Sequence, residues 1–184
     1  MKKGLILLAD GFEQTEAFSV QDVLLRAGLI ADLVSTNHSS VVVSSMELRV
    51  SVPLKLEKID ASLYDFIIIP GGTVGVENLS KSKEVLNLIT YFHENKKLIC
   101  SICAGPSILG KLGYLDNHTF TCFPGYEVGK GKKDTENGVV DDGLLITARS
   151  MYFSIPFAEA IIRHFSGQKG VDSIYFGTRG AKLD

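Results

Sequence analysis

Several features are scarce or missing in this 184-residue chain, and each absence narrows the class of protein. Three cysteines, an odd number, argue against a disulfide framework and suit a reducing compartment. No apolar run is long enough to cross a bilayer, and the first one, residues 5–9, is too short for a signal peptide. We therefore expect a cytoplasmic protein with no membrane partner.

The chain also lacks a large excess of positive or negative charge. The 19 basic and 21 acidic residues give a formal net charge of −2, so no electrostatic feature favours nucleic acid as a partner. The one basic cluster, residues 130–133, is typical of a solvated loop. No His, Cys or carboxylate groups follow the usual metal-ligand spacing, and we expect neither a metal nor another cofactor.

The hydrophobic fraction of 45% and the chain length fit one α/β domain that spans residues 1–184. Periodicity and breaker residues predict alternating strands and helices. The first predicted elements are strand 3–9, helix 13–27, strand 30–35, and a small hairpin or edge pair formed by 41–43 with 48–50. They are followed by strand 64–69, helix 82–95, strand 98–102 with a following helix, strands 119–123 and 144–147, and helix 154–165. The tail, residues 167–184, stays unassigned. Such alternation favours a mostly parallel sheet with helices on both faces.

Cys103 is the strongest candidate for chemistry. It follows the apolar strand 98–102 at a break into a helix, and Ala104 and Gly105 leave room for the sharp turn. This pattern is typical of a nucleophile elbow with sulfur in place of a serine oxygen. A helix N-terminus would favour the thiolate, so we predict an acidic thiol. The competing interpretation is an ordinary buried cysteine in the core.

Three predicted strand ends carry polar or glycine-rich segments. Residues 10–16 follow the first strand, Pro70-Gly71-Gly72 follows the central strand, and Cys103 follows the next. Because ligands bind at the carboxyl ends of parallel strands, these segments predict one site.

Two carboxylates and two backbone amides are candidates for this site. Glu16 could share a proton with the Cys103 thiol, and Glu13, three residues earlier, is the competing candidate. Either glutamate could instead complement the helix dipole. The backbone amides of Gly72 and Ala104 could stabilise an oxyanion or an oxidised sulfur.

These motifs together resemble the ThiJ/PfpI family of the class I glutamine-amidotransferase-like superfamily. The resemblance rests on Gly-Phe-Glu-Gln-Thr-Glu at 11–16, Ile-Pro-Gly-Gly at 69–72, Ile-Cys-Ala-Gly-Pro at 102–106 and Ile-Thr-Ala-Arg at 146–149. It implies a flavodoxin-like three-layer sandwich that dimerises. It also implies that Cys103 is the nucleophile, Glu16 its protonated partner, and Gly72 with Ala104 the amide pocket.

The chain departs from that family at three points. Peptidase-like members carry a histidine directly after the cysteine, where this chain has Ala104, so a Cys-His hydrolase pair is unsupported. Phe123 stands where the branch of the parkinsonism-associated protein often has a histidine, and Ser150-Met151-Tyr152 replaces a frequent Gly-Pro-Gly. The histidines at 38, 93, 118 and 164 are expected on the surface. The sequence therefore does not determine the substrate preference that these segments would set.

Three functions are compatible with the sequence. The first is a cofactor-free glyoxalase or protein deglycase that acts on reactive carbonyl or glycated substrates through Cys103 and Glu16. The second is a non-enzymatic oxidation sensor or chaperone in which Cys103 becomes a sulfinate. The third, a dithiol between Cys100 and Cys103, ranks last, because Cys100 falls near the end of the buried strand and a disulfide to the elbow would demand a geometry that the turn disfavours.

Overall fold

A six-stranded sheet forms the centre of the computed structural model, which describes residues 1–182. Its strands are, in spatial order, β2 (Ile30–Ser35), β1 (Lys3–Leu8), β5 (Phe66–Ile69), β6 (Leu98–Ile102), β10 (Leu145–Ala148) and β9 (Val139–Asp141). All neighbours pair in parallel except β9, which is antiparallel to β10. The predicted mostly parallel sheet is confirmed.

Helices cover both faces of the sheet. They are α1 (Gln14–Arg26), α2 (Thr73–Lys81), α3 (Lys83–Glu94), α4 (Pro106–Lys111) and α5 (Ser154–Arg179). Alternate residues of β1 enter two separate cores, one with α1 and α5 and the other with α2, α3 and α4. A strand buried on both faces is apolar at every position, which explains its unbroken hydrophobic run. The result is the predicted flavodoxin-like sandwich of three layers.

Two small pairs of strands lie outside the main sheet. β3 (Val41–Val43) and β4 (Arg49–Ser51) form the predicted hairpin, which is antiparallel. β7 (Thr119–Phe120) pairs in parallel with β8 (Lys132–Lys133), so the predicted strand 119–123 is shorter than expected.

Helix α2 is absent from the sequence prediction. Gly75 lowers the helix propensity of this segment, yet it is needed there, because a Cβ at Gly75 would lie 2.8 Å from the backbone of Phe12. The glycine therefore brings α2 against the loop after β1, which closes one side of the site described below.

The tail left unassigned is also helical up to Arg179. Gly167, with φ of 63°, kinks α5, and the segment beyond the kink buries Val171 and Ile174 against the core. Arg179 then forms an ion pair with the buried Glu159 at 3.0 Å. Residues 183–184 of that tail lie outside the described residues. Among the helices described, none is long and apolar enough to cross a membrane.

Candidate active site

Cys103 lies directly after β6 in a conformation that few non-glycine residues adopt. Its φ is 62°, a left-handed value that costs about 1–3 kcal/mol and is held only by surrounding structure. Two backbone hydrogen bonds hold it: the Cys103 N–H donates to the Ala148 carbonyl, and its carbonyl accepts from Phe123 N–H, both at 2.9 Å. The predicted sharp break between β6 and α4 is therefore present, with the thiol partly exposed.

Glu16 is fully buried beside this thiol. Its Oε2 accepts the Gly71 N–H at 2.6 Å, and this oxygen and the Cys103 side chain both lie against Gly71. Its other oxygen, Oε1, has no hydrogen-bond partner within residues 1–182. Burial raises the pKa of Glu16 from 4.5 to about 7, against the lowering effect of the Gly71 N–H. The carboxyl can thus hold or release a proton near neutral pH.

Glu13, the competing carboxylate, has a different place. It caps α1, where its side chain accepts the Glu16 N–H at 2.8 Å, and its own N–H donates to the Gly71 carbonyl at 3.0 Å. A cap of this kind satisfies one of the free N–H groups at the start of a helix. The structure therefore brings Glu16, and not Glu13, to Cys103.

The loop 70–72 packs against both reactive side chains. A Cβ on Gly71 would lie 2.5 Å from Glu16 Oε2 and 2.7 Å from the Cys103 Cβ, so only glycine fits between them. The backbone N–H groups of Gly72 and Ala104 both face the Cys103 sulfur and lower its pKa. The residues predicted from the three strand ends thus meet at one point.

The prediction of an acidic thiol is wrong, because the pKa of Cys103 is raised above its ordinary value. Burial is the largest cause that raises the pKa of Cys103 above its ordinary value, followed by the charge of Glu16, and the two amides only partly oppose them. Helix α4 adds little, because it has six residues and begins at Pro106, three positions after the thiol. Together these effects favour the neutral thiol over the thiolate.

The other cysteines are less suited to chemistry. Cys100 and Cys122 are fully buried, and all three cysteines are free thiols. Burial raises the pKa of Cys100 well above its usual value and that of Cys122 to about 11. Cys100 lies within β6, where it pairs with Ile68 and Ile146 on either side. This placement gives the dithiol hypothesis no support.

The histidines contact groups other than the thiol. His118 pairs with Asp142 at 3.1 Å, His38 with Glu57 at 3.4 Å, His93 stacks on Tyr114, and His164 meets the Phe165 ring edge-on. Across residues 1–182, no three His, Cys, Asp or Glu side chains are grouped so that they could hold a metal ion.

Sequence reasoning did not identify the aromatic side of the site. Phe123 donates its N–H to the Cys103 carbonyl, and its partly exposed ring meets Tyr126 edge-on with centroids 6.4 Å apart. The Tyr126 hydroxyl in turn lies 3.0 Å from Thr73 Oγ1, next to the Gly72 amide. The short spacing between 123 and 126 is the only sequence signal for this contact.

Comparisons with known proteins agree with this architecture. Residues 2–164 match the DJ-1/PfpI family. The chain is 34% identical to the Parkinson disease protein 7 homolog of Danio rerio, over 90% of each chain. It is 32% identical to Protein DJ-1 homolog B of Arabidopsis thaliana, over 90% of this chain, and spans 38% of the length of that relative. The crystal structure of Drosophila melanogaster DJ-1beta superposes with a TM-score of 0.90, at 29% identity, over 96% of this chain and 97% of the other.

Proposed function

We propose that this chain, which belongs to the DJ-1/PfpI family, is a cofactor-free, cysteine-dependent stress protein that acts on reactive carbonyls. In this proposal Cys103 is the nucleophile and Glu16 the proton carrier, while the Gly72 and Ala104 amides stabilise developing negative charge. The substrates are small carbonyl compounds or glycated groups, as in a glyoxalase or a protein deglycase. Cytoplasmic location is part of the same proposal.

One observation carries the proposal: a fully buried carboxyl with a pKa of about 7 lies against a strained, partly exposed thiol. A group that titrates near neutral pH can give and take a proton in one reaction cycle. The two amides face the same sulfur. They could therefore donate hydrogen bonds to an oxygen on the substrate carbon that becomes bonded to this sulfur.

The chemistry balances for a 2-oxoaldehyde without a cofactor. The sulfur adds to the aldehyde carbon, the carbonyl electron pair moves to oxygen, and the proton shared with Glu16 passes to that oxygen to give a hemithioacetal. Glu16 then takes the proton from this carbon and returns one to the neighbouring carbonyl carbon, while the hydroxyl proton of the hemithioacetal passes to the ketone oxygen, which yields the thioester of a 2-hydroxy acid. Water cleaves the carbon–sulfur bond, so the aldehyde and one water leave as a 2-hydroxy acid and the thiol is restored.

Incubation of the purified protein with methylglyoxal, followed by measurement of lactate, tests the enzyme proposal. We expect lactate to accumulate with the wild type and not with Cys103→Ser. The Glu16→Gln variant is expected to form the covalent adduct with the aldehyde but to produce no lactate, because glutamine cannot carry the proton. Equal lactate from wild type and Cys103→Ser would reject the proposal.

A second candidate, an oxidation sensor or chaperone, draws on the same amides. Two N–H donors facing the sulfur and a carboxyl able to donate a proton would hold a Cys103 sulfinate. Hydrogen peroxide treatment followed by intact mass measurement tests it. Gain of two oxygen atoms on Cys103, in a protein that makes no lactate, would favour the sensor.

Homodimer formation belongs to this proposal as well. Helices α1 and α5 pack together and expose Leu25 and Phe176, whose side chains are 51% and 66% exposed. Large apolar side chains left in water at one surface support an interface between two copies. Sedimentation with and without a chelator tests this: we expect a dimer that the chelator leaves intact, and a monomer would refute the proposal.

A further inference from the structure

A cavity lies away from Cys103, at the end of the sheet where β6 and β10 begin. We call this end the amino edge. The cavity measures about 300 Å³ and is lined on its apolar side by Ile99, Leu109 and Leu145. Pockets for small molecules begin at about this volume and have mostly apolar walls with a few polar groups. The size and walls suit a flat molecule of one or two rings.

Aromatic rings already stack beside this cavity. The His93 and Tyr114 rings, both of which line it, lie parallel with centroids 3.8 Å apart, and Tyr114 is fixed by a 2.9 Å hydrogen bond to Thr90 Oγ1. A fixed aromatic face is a good surface for another ring, because its position is set before the ligand arrives.

The cavity is lined by two lysines and by two histidine rings. His93, Lys96, Lys97 and His118 line it, and Lys96 forms no ion pair within residues 1–182. Asp142, the nearby carboxylate, is held by His118 at 3.1 Å and by the Thr119 N–H at 2.7 Å. The lysine at 96 is therefore available to an anion.

Lys97 is a fixed part of the cavity lining. Its Nζ donates to the carbonyls of Ala61, Ser62 and Tyr64 at 2.9, 3.2 and 2.6 Å, so its side chain forms a fixed wall. On the other side of that wall a second groove shares Lys96, Lys97 and Leu144. The two lysines thus differ in role: Lys97 holds the wall, and Lys96 faces solvent at the rim.

We propose that the amino-edge cavity binds a small aromatic carboxylate, with its ring among Ile99, Leu109 and Tyr114 and its charge near Lys96. The function proposed for Cys103 assigns no role to this cavity, and the two sites lie at opposite ends of β6.

Titration with 2-naphthoate, measured by calorimetry, tests the proposal, with uncharged 2-naphthamide as the matched ligand. We expect one naphthoate per chain and weaker binding of the amide. Lys96→Gln is expected to weaken naphthoate about two- to fivefold, as for one partly exposed ion pair, and to leave the amide unchanged. Leu144→Trp, at the mouth of the cavity, is expected to weaken both ligands.

The control variant is Lys83→Gln, which removes the same charge at the other end of α3, about 18 Å away for a helix of this length. Equal weakening by Lys83→Gln and Lys96→Gln would overturn the proposal, because only general electrostatic attraction would remain. The alkylation rate of Cys103 is expected to stay the same in saturating naphthoate. A ligand that slows alkylation and ignores Lys96→Gln would occupy the candidate active site instead, which also overturns the proposal.

Discussion

Replacement of Glu16 by glutamine should change how the stability of the protein depends on pH. In the folded chain burial raises the pKa of this carboxyl from 4.5 to about 7. Between these two pH values the folded state holds a proton that the unfolded state has released. The free energy of unfolding therefore falls as pH rises through this window. The glutamine side chain has no proton to release, so its contribution should be independent of pH.

The size of the effect follows from the two pKa values. Their difference, multiplied by about 1.36 kcal/mol per pKa unit, gives about 3 kcal/mol between the two ends of the window. Glutamine keeps an oxygen that can accept the Gly71 N–H, so the hydrogen bond measured at 2.6 Å has a replacement. From about pH 5 to about pH 8, which covers most of this window, Glu16→Gln should thus gain about 2.5 kcal/mol relative to the wild type.

Urea unfolding of both proteins at several pH values, at one protein concentration and under reducing conditions, measures this difference. Glu13→Gln is the matched control, since the amide oxygen of the new side chain can still accept the Glu16 N–H and cap α1. We expect it to follow the pH profile of the wild type. If the difference between Glu16→Gln and wild type were the same at every pH, the carboxyl would not titrate in this window and the buried acid would be rejected.

Three further predictions concern the thiol and its surroundings. Cys103 should be alkylated faster than Cys100 or Cys122 at neutral pH, because it alone is partly exposed, and peptide mass spectrometry reads the three rates. Glu16→Gln should lower the pKa of the Cys103 thiol by about one to two pKa units, measured by thiolate absorbance, because the opposing charge is removed. Gly71→Ala should lower the free energy of unfolding by about 1–3 kcal/mol, since its Cβ would overlap the Glu16 carboxyl.

Each of these has a result that would contradict it. Faster labelling of Cys122 than of Cys103 would reject the elbow assignment. A Glu13→Gln variant that shifts the thiol pKa as far as Glu16→Gln would reject the pairing of Glu16 with Cys103. For Gly71→Ala the comparison is Gly177→Ala, where a Cβ has its nearest neighbour at 3.7 Å. If the two alanine variants lowered the free energy of unfolding equally, the space beside Glu16 would not restrict the side chain at position 71.

Much of the fold could be predicted because its signals are local. Strands buried on both faces are apolar throughout, as in Phe66–Ile69. The helix Gln14–Arg26 has its C-cap at Ala27 and is followed by Gly28, whose φ is 77°. The helix Thr73–Lys81 was missed because Gly75, a poor helix former, is there for contact with the loop after β1. The sequence does not predict the helical tail beyond Gly167. Its helix α5 packs against α1, and the local sequence pattern contains no signal for this tertiary contact.

The meeting of Cys103, Glu16 and the loop 70–72 could also be predicted, because parallel strands end at the same edge of a sheet. How the Cys103 thiol and the Glu16 carboxyl are ionised could not. That ionisation depends on how deeply the Glu16 carboxyl is buried, and its burial is set by tertiary contacts such as the one with Gly71. It depends as well on the length of α4, whose six residues weaken the dipole that would have favoured a thiolate. Burial therefore determines how the site is ionised, whereas the local sequence predicts only which residues form the site.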